Sequence, residues 1–423
     1  MRSIGRAARL AVVLAVAVAP VACSQVPVAT PRPTTTIPSG SRGPTATGAS
    51  IPIPPSPTTT PLPGGLAEWR QLPPQDNLAD ARFLTAAWVG DRFLGMGCVA
   101  TTADGCVQPA IWESRDALEW QMSAPVFLAP DFSGGSVVAA ASSRIGTVAA
   151  GNVTDGDKIH ASIWLRGADG WAQVTPQSSA DSAISALLAT DGRVMAVGSG
   201  AFTHFSGFRG WWSADGTTWQ AAPSVADEGG GYPTDLLPVE GGLLAWGTSC
   251  GDVCPVLPSS WWFTTDGTAW QTVGPPPGLG DANVTAIGRT EGGYAAFGTL
   301  GSGDQPVRPA AWVADETAAD WRSVDPPPQP EATSIGRHLL VGHGEIVAGS
   351  APPGPGREQL QGLVWLRGPG ETAWRAPVDL PDFDVIALLQ VPQQLNRVVV
   401  IGRTFEGLEE EVVIWTGLVD WAP

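Results

Sequence analysis

The chain has 423 residues, with 23 basic and 40 acidic side chains and a net charge of −17. Such a surface repels phosphate backbones, which excludes nucleic acid as a partner, and the single lysine, Lys158, excludes bulk adhesion to anionic lipid. Apolar residues make up 43% while Gly and Pro number 52 and 40, a mixture that fits many short strands joined by turns.

Residues 1–22 have the three parts of an export signal. Arg2, Arg6 and Arg9 form the charged start, residues 10–19 are an apolar run too short to span a bilayer, and Pro20-Val-Ala-Cys23 is the exit. A cysteine directly after a small residue resembles the lipobox of bacterial lipoproteins, with Pro20 where that family usually has a branched aliphatic. The resemblance implies that Cys23 becomes the lipidated first residue, anchoring the protein to the outer face of the bacterial cell membrane. The alternative is ordinary cleavage and secretion, with a free thiol at Cys23. Membrane contact is expected through the lipid anchor only. Without residues 1–22 the chain loses three bases and no acid, leaving 20 against 40 (23 − 3 = 20), or −20.

Residues 24–65 are Pro, Thr, Ser and Gly with almost no large apolar side chains, as in Pro54-Pro-Ser-Pro-Thr-Thr-Thr-Pro61. They bury too little surface to offset ordering entropy, so residues 23–65 read as an anchor cysteine and a disordered, proline-stiffened stalk.

From residue 66 a repeat takes over and runs to 423. Tryptophan recurs as Trp69, Trp120, Trp171, Trp219, Trp270, Trp321, Trp374 and Trp421, at intervals of 51, 51, 48, 51, 51, 53 and 47 residues. A period of this size marks a repeat architecture. Each unit opens with a short apolar strand (83–89, 137–141, 183–189, 284–287, 385–389) and turns into a second strand ending near Gly. A loop of variable length leads to a third strand ending in Trp112, Trp164, Trp212, Trp262, Trp312, Trp365 or Trp415, and a tight turn leads to the fourth. No helical period of useful length occurs. Four antiparallel strands per unit and seven units predict an all-β seven-bladed β-propeller. Trp69-Arg-Gln-Leu-Pro-Pro74 matches the fourth-strand pattern of Trp321-Arg-Ser-Val-Asp-Pro326 but has no first strand before it. Residues 67–72 are therefore expected to supply the outer strand of the blade built from 383–420, unless Trp421 fills that place.

The turn between third and fourth strands reads Ser213-x-Asp215-Gly216-x-x-Trp219 and Thr264-x-Asp266-Gly267-x-x-Trp270, with a Gly-less copy at Ser114, Asp116 and Trp120. These copies resemble the Asp-box of sialidase-type (BNR) propellers, one residue shorter between Asp and Gly. In that family the box is a structural turn, and the physics agrees: Asp and Ser side chains cap the turn's N–H groups and Gly tolerates positive φ. Burying a Trp ring of ~200 Å² at ~25 cal/mol/Å² contributes roughly 5 kcal/mol gross, so these residues are scaffold. The catalytic parts implied by a sialidase are not found. Arg-Ile-Pro is absent, Tyr294 lies in a second strand and Tyr232 opens a first strand, so no catalytic residue is assigned.

Gly247-Thr-Ser249-Cys-Gly251 matches a nucleophile elbow only nominally, because no helix follows it. His160, His204, His338 and His343 have no metal-ligand spacing, and Asn152-Val-Thr-Asp155-Gly-Asp157 lacks the closing Glu of a calcium loop. Neither a metal nor a cofactor is expected. Cys98 and Cys106 bracket the loop after the second strand of blade one, and Cys250 and Cys254 bracket the same loop in blade four. Two local disulfides follow, since blades one and four are not neighbours in a seven-fold ring.

The second-to-third-strand loops (98–109, 152–161, 199–209, 248–259, 300–309, 350–361, 403–411) share a face with the connections between blades, opposite the Asp-box turns. Acids gather before first strands at Asp80, Asp181, Asp235, Asp281, Glu331 and Asp384. They either ring the channel mouth, attracting cations or cationic peptides, or cap turns and keep the chain soluble. Two functions are in view. One is a surface-tethered, non-catalytic binding propeller with a carbohydrate, peptide or protein ligand on the loop face. The other is a sialidase-like glycoside hydrolase using carboxylates at the mouth.

Overall fold

Turns and loops join successive apolar runs within each unit, and each strand pairs antiparallel with the strand that follows it. The result, in a computed structural model, is seven four-stranded sheets. The structure describes residues 66–421 apart from 100–105, 124–131, 157, 175, 177–178, 191, 201–206, 224, 226–230, 250–257, 302–307, 330–332, 354–359 and 407–408. The export signal, Cys23 and the stalk lie outside the described residues.

Blade one comprises Ala81–Val89, Arg92–Val99, Gln108–Ser114 and Gln121–Met122. Blades two to six open on Gly134–Ser143, Ser182–Ala189, Gly231–Val239, Ala282–Thr290 and Ser334–Val341. Blade seven is built from Asp384–Val391, Gln394–Glu406 and Glu409–Val419, and its fourth strand is Leu66–Gln71 from the other end of the propeller. Leu66 pairs with Val419 and Arg70 with Thr416, so the N-terminal strand closes the ring and covers the edge that Glu409–Val419 would otherwise present. Trp421 is not a strand residue. Its indole N–H donates to the Val341 carbonyl (3.0 Å), and Trp69 stacks on Trp415 in its stead.

Every inner strand carries a bulge near its middle, from Phe83/Thr85 in blade one to Val385/Ala387 in blade seven. The extra residue turns side chains toward the next blade: Ser185 Oγ donates to the Pro233 carbonyl and Thr285 Oγ1 to the Ile335 carbonyl.

The third-strand tryptophans sit at one register position, each opposite a small or β-branched residue of the second strand. Gly95 faces Trp112, Ala149 faces Trp164, Ala245 faces Trp262 and Ala296 faces Trp312. In blade three the residue in that position is Trp211, opposite Ala196, rather than Trp212. Trp211 is buried, whereas Trp212 is half-buried beneath the Arg193 guanidinium, 5.0 Å from the ring.

The turns into the fourth strands of blades one, three, four and five share one hydrogen-bond pattern. Ser213 Oγ accepts the Gly216 N–H (2.8 Å), Asp215 Oδ1 accepts Thr217 and Thr218 N–H (2.8 and 2.6 Å), and Trp219 Nε1 donates to the Gly216 carbonyl (3.0 Å). Blade one keeps the pattern without glycine by holding Ala117 at φ 61°, and blade five does so with Ala318 at φ 54°. Blade six departs from it. Trp374 precedes the short strand Val378–Leu380 and lies under Arg367, 4.4 Å away.

Two expected loops are strands. In blade two Gly146–Asp155 and Lys158–Gly167 continue pairing through Val153–His160 to Asp155–Lys158, and in blade seven pairing runs out to Glu406–Glu409. Residues 152–155 with 158–161, and 403–406 with 409–411, are therefore paired arms rather than open loops. The cause is period-two alternation that simply continues, as in Val153 buried between half-buried Asn152 and Thr154.

Candidate functional site

The chain direction divides the ring into two faces. First-to-second and third-to-fourth turns lie on one, the turn face. Second-to-third connections and the links between blades lie on the other, the loop face. On the loop face a disulfide joins Cys98 to Cys106 in blade one. The Cys106 carbonyl accepts the Gly135 N–H of blade two (3.3 Å), and a Cβ at Gly134 would strike that carbonyl, so glycine lets the crosslinked loop rest on its neighbour. Cys250 and Cys254 lie outside the described residues.

Asp80, Asp181 and Asp281 stand directly before the inner strands of blades one, three and five, and all three are exposed. Asp181 holds φ at 53°. Asp384 opens the inner strand of blade seven and is tied down: it accepts from Ser350 Oγ of blade six (2.8 Å) and from Arg403 Nε (3.0 Å). Arg403 also reaches Glu410 (3.3 Å), and Glu410 pairs with Arg82 of blade one (2.8 Å). The closing blade is thus pinned to both neighbours by an alternating run of acids and arginines. Glu331 lies outside the described residues.

Asp235 is placed lower than the other acids. It is the fifth residue of Gly231–Val239, paired with Trp246 just past the bulge, because the strand opens at Gly231, ahead of the acid. Its carboxylate accepts the Leu236 N–H (2.8 Å), and burial pushes its pKa up to about 7, against the opposing pull of that bond and of Arg337. Arg337 occupies the same register position in blade six, where burial lowers it to about 10 against the pull of Asp235 and Asp384. It donates to the carbonyls of Ile386 and Gly336 (both 2.6 Å), leaving Nη2 buried without a partner. The same position holds Thr85, Ala139, Ala186, Ala286 and Ala387 in the other five blades.

Most of the remaining sequence candidates have structural partners; His160 packs its ring against Phe132, 5.5 Å between centroids, with Nε2 buried and unpartnered. Asn152 exchanges side-chain hydrogen bonds with the Ile184 backbone, joining blade two to three. Tyr294 is buried and donates to the Pro238 carbonyl (2.8 Å). His338 is buried beside Glu345 (3.2 Å), which also takes Arg367, and His343 pairs with Glu291. His204 lies outside the described residues. Among the described residues no three His, Cys, Asp or Glu come together as metal ligands, and no helix is long and apolar enough to cross a membrane.

Sequence reasoning missed Arg82, Arg403, Glu410 and Arg337. The first three were findable, since extending the strands of blade seven sets Arg403 close to Glu410 across the hairpin. Arg337 was not, because its role depends on the bulge register.

No family model matches the chain, and no curated protein matches it. Among solved structures, YCF48 bound to D1 peptide aligns with a TM-score of 0.50 and 13% identity, over 83% of this chain and 96% of that one. A mutant of the NanB sialidase from Streptococcus pneumoniae aligns at 0.44 and 13%, over 85% and 71%. A neuraminidase-like protein of subtype N11 from a flat-faced bat influenza virus aligns at 0.37 and 10%, over 85% and 95%. At these identities the likeness is one of fold.

Proposed function

We propose that the protein is an exported, lipid-tethered, non-catalytic propeller that binds a cationic peptide segment on its loop face. The observation that carries this reading is the fate of the mouth acids. Asp80, Asp181 and Asp281 are exposed on alternate blades, while Asp384 is spent on Arg403 and Asp235 is buried out of reach. Separated, uncompensated carboxylates steer a cation without forming the close acid/base pair that glycoside hydrolysis uses. Peptide is the preferred ligand class because YCF48, a protein of similar fold, is described bound to a peptide. The export signal and Cys23 support the address, and the stalk gives the ring reach from its anchor.

The test is binding of ten-residue oligolysine to the full mature chain at several salt concentrations. Affinity should fall as salt rises and should drop at least tenfold in an Asp80→Asn, Asp181→Asn, Asp281→Asn triple variant. Equal affinity in the triple variant would refute the reading. Cys23→Ala tests the anchor separately, since membrane retention in cell fractions should be lost.

The hydrolase alternative draws on Asp384 and Glu410, two carboxylates sharing Arg403 with Arg82 beside them. Hydrolysis of any sialyl or other glycoside that disappears in Asp384→Asn would favour it over the binding reading.

A further inference from the structure

Around the ring the inner strands of neighbouring blades run close together, except between blades four and five. There Gly231–Val239 and Ala282–Thr290 stand apart. Two side chains pin this seam at its ends. On the loop side Ser259 Oγ accepts the Val284 N–H (2.8 Å), and on the turn side the Tyr294 hydroxyl donates to the Pro238 carbonyl (2.8 Å).

Next to the Tyr294 pin the turn face holds an open cavity of about 380 Å³. That volume lies within the range of small-molecule sites, about 300–1,000 Å³. Pro238 and Val239 give it an apolar wall, while Glu240, Glu316 and Arg289 bring charge to it. Arg289 is held in place: its guanidinium lies 5.2 Å from the Tyr294 ring centroid and Nη2 donates to the Tyr294 hydroxyl (3.1 Å). Burial raises the Tyr294 pKa, so the hydroxyl stays protonated and keeps bridging Arg289 to blade four. Both glutamates are exposed. Thr317, also at the rim, spends its hydroxyl on Asp315 (2.5 Å).

This set of groups selects by charge. An anion meets two carboxylates. A cation is drawn by two carboxylates and opposed by one guanidinium, so lysine is the competitor that a hydroxyl ligand has to outbind. Hydroxyl groups suit all three, because each both donates and accepts: carboxylates take pairs of O–H donors and the guanidinium fork donates to oxygen lone pairs. The apolar wall suits the C–H face of a sugar ring. We propose that the cavity between blades four and five binds a neutral polyhydroxylated ligand, a carbohydrate unit of one or two rings, on the face opposite the peptide-binding mouth.

The experiment is calorimetry and saturation-transfer NMR on the full mature chain, using glucose, galactose, mannose, N-acetylglucosamine, lactose and trehalose. At least one sugar should bind, and binding should weaken tenfold or more in Glu240→Ala with Glu316→Ala, and separately in Arg289→Ala. All three side chains are exposed, so the melting temperature should hold. The Asp80→Asn, Asp181→Asn, Asp281→Asn variant should bind the sugar unchanged, which separates this site from the loop face. The proposal is overturned if no sugar in the panel binds, or if binding ignores the cavity substitutions. It is also overturned if lysine or inorganic phosphate occupies the cavity in preference to every sugar.

Discussion

The turn face and the loop face are made by the same repeat and differ in how closely each blade keeps to it. On the turn face several charges are paired: Arg92 bonds Asp91 and Glu113, Arg166 shares Glu113, Arg367 takes Glu345 and Arg375 takes Glu371. The Asp-containing turns there are self-satisfied, with Asp215 held well below the usual carboxylate range by the N–H groups of Thr218 and Thr217. On the loop face Asp80, Asp181 and Asp281 are exposed, and the blades differ because two extend the pairing of their second and third strands and one carries a crosslink. Repetition is strict where the geometry of stacking blades demands it and lapses where only solvent is adjacent. The difference places the self-satisfied scaffold turns and the variable loops at opposite ends of the blades.

Deleting residues 66–71 breaks the comparison most severely, since both faces depend on closure. The Glu409–Val419 strand would be left as an exposed edge, and size-exclusion chromatography should show oligomers or aggregate in place of monomer. A well-behaved monomer with the native melting temperature would contradict the closure.

Trp112→Ala removes a fully buried ring from the scaffold between blades. It should cost about 3–5 kcal/mol in urea unfolding. Substitution of exposed Asp281 should leave stability unchanged.

Asp235 belongs to neither face. Its carboxyl rises from 3.8 to about 7 on folding, so between those values the folded chain holds a proton that the unfolded chain has released. Stability should therefore fall as pH rises through that window and level off above it. Asp235→Asn should flatten the fall, read as the urea midpoint at pH 5 and at pH 8. An unchanged slope would show that other groups carry it.

The smallest effect separates two solutions to one turn. Gly216 sits at φ 76° with Ile145 and Leu165 close to where a Cβ would go, so Gly216→Ala should cost about 1 kcal/mol or somewhat more. Ala117→Gly in blade one should change stability by less than about 0.5 kcal/mol, because relief at φ 61° is offset by loss of a buried methyl.

Much of this was legible in the sequence because tryptophans and turn residues are local signals at fixed spacing. The seven blades, the closure by 67–72 and the Cys98–Cys106 crosslink all follow from positions along the chain. Properties that depend on register between strands were not legible. Trp211 and Trp212 are adjacent and chemically identical, and only pairing with Ala196 decides which enters the core. Asp235 looked like one more mouth acid until the bulge placed it beside Trp246. The gap between blades four and five depends on how whole sheets stack, and no local pattern encodes it.

The central claim, recognition on the loop face, is tested most directly by hydrogen–deuterium exchange on the full mature chain with and without ten-residue oligolysine. Slower exchange should appear in residues 98–109, 152–161 and 403–411 and around Asp80, Asp181 and Asp281, with the turns at 213–219 and 264–270 unaffected. Protection confined to those turns, with none on the loop face, would contradict it.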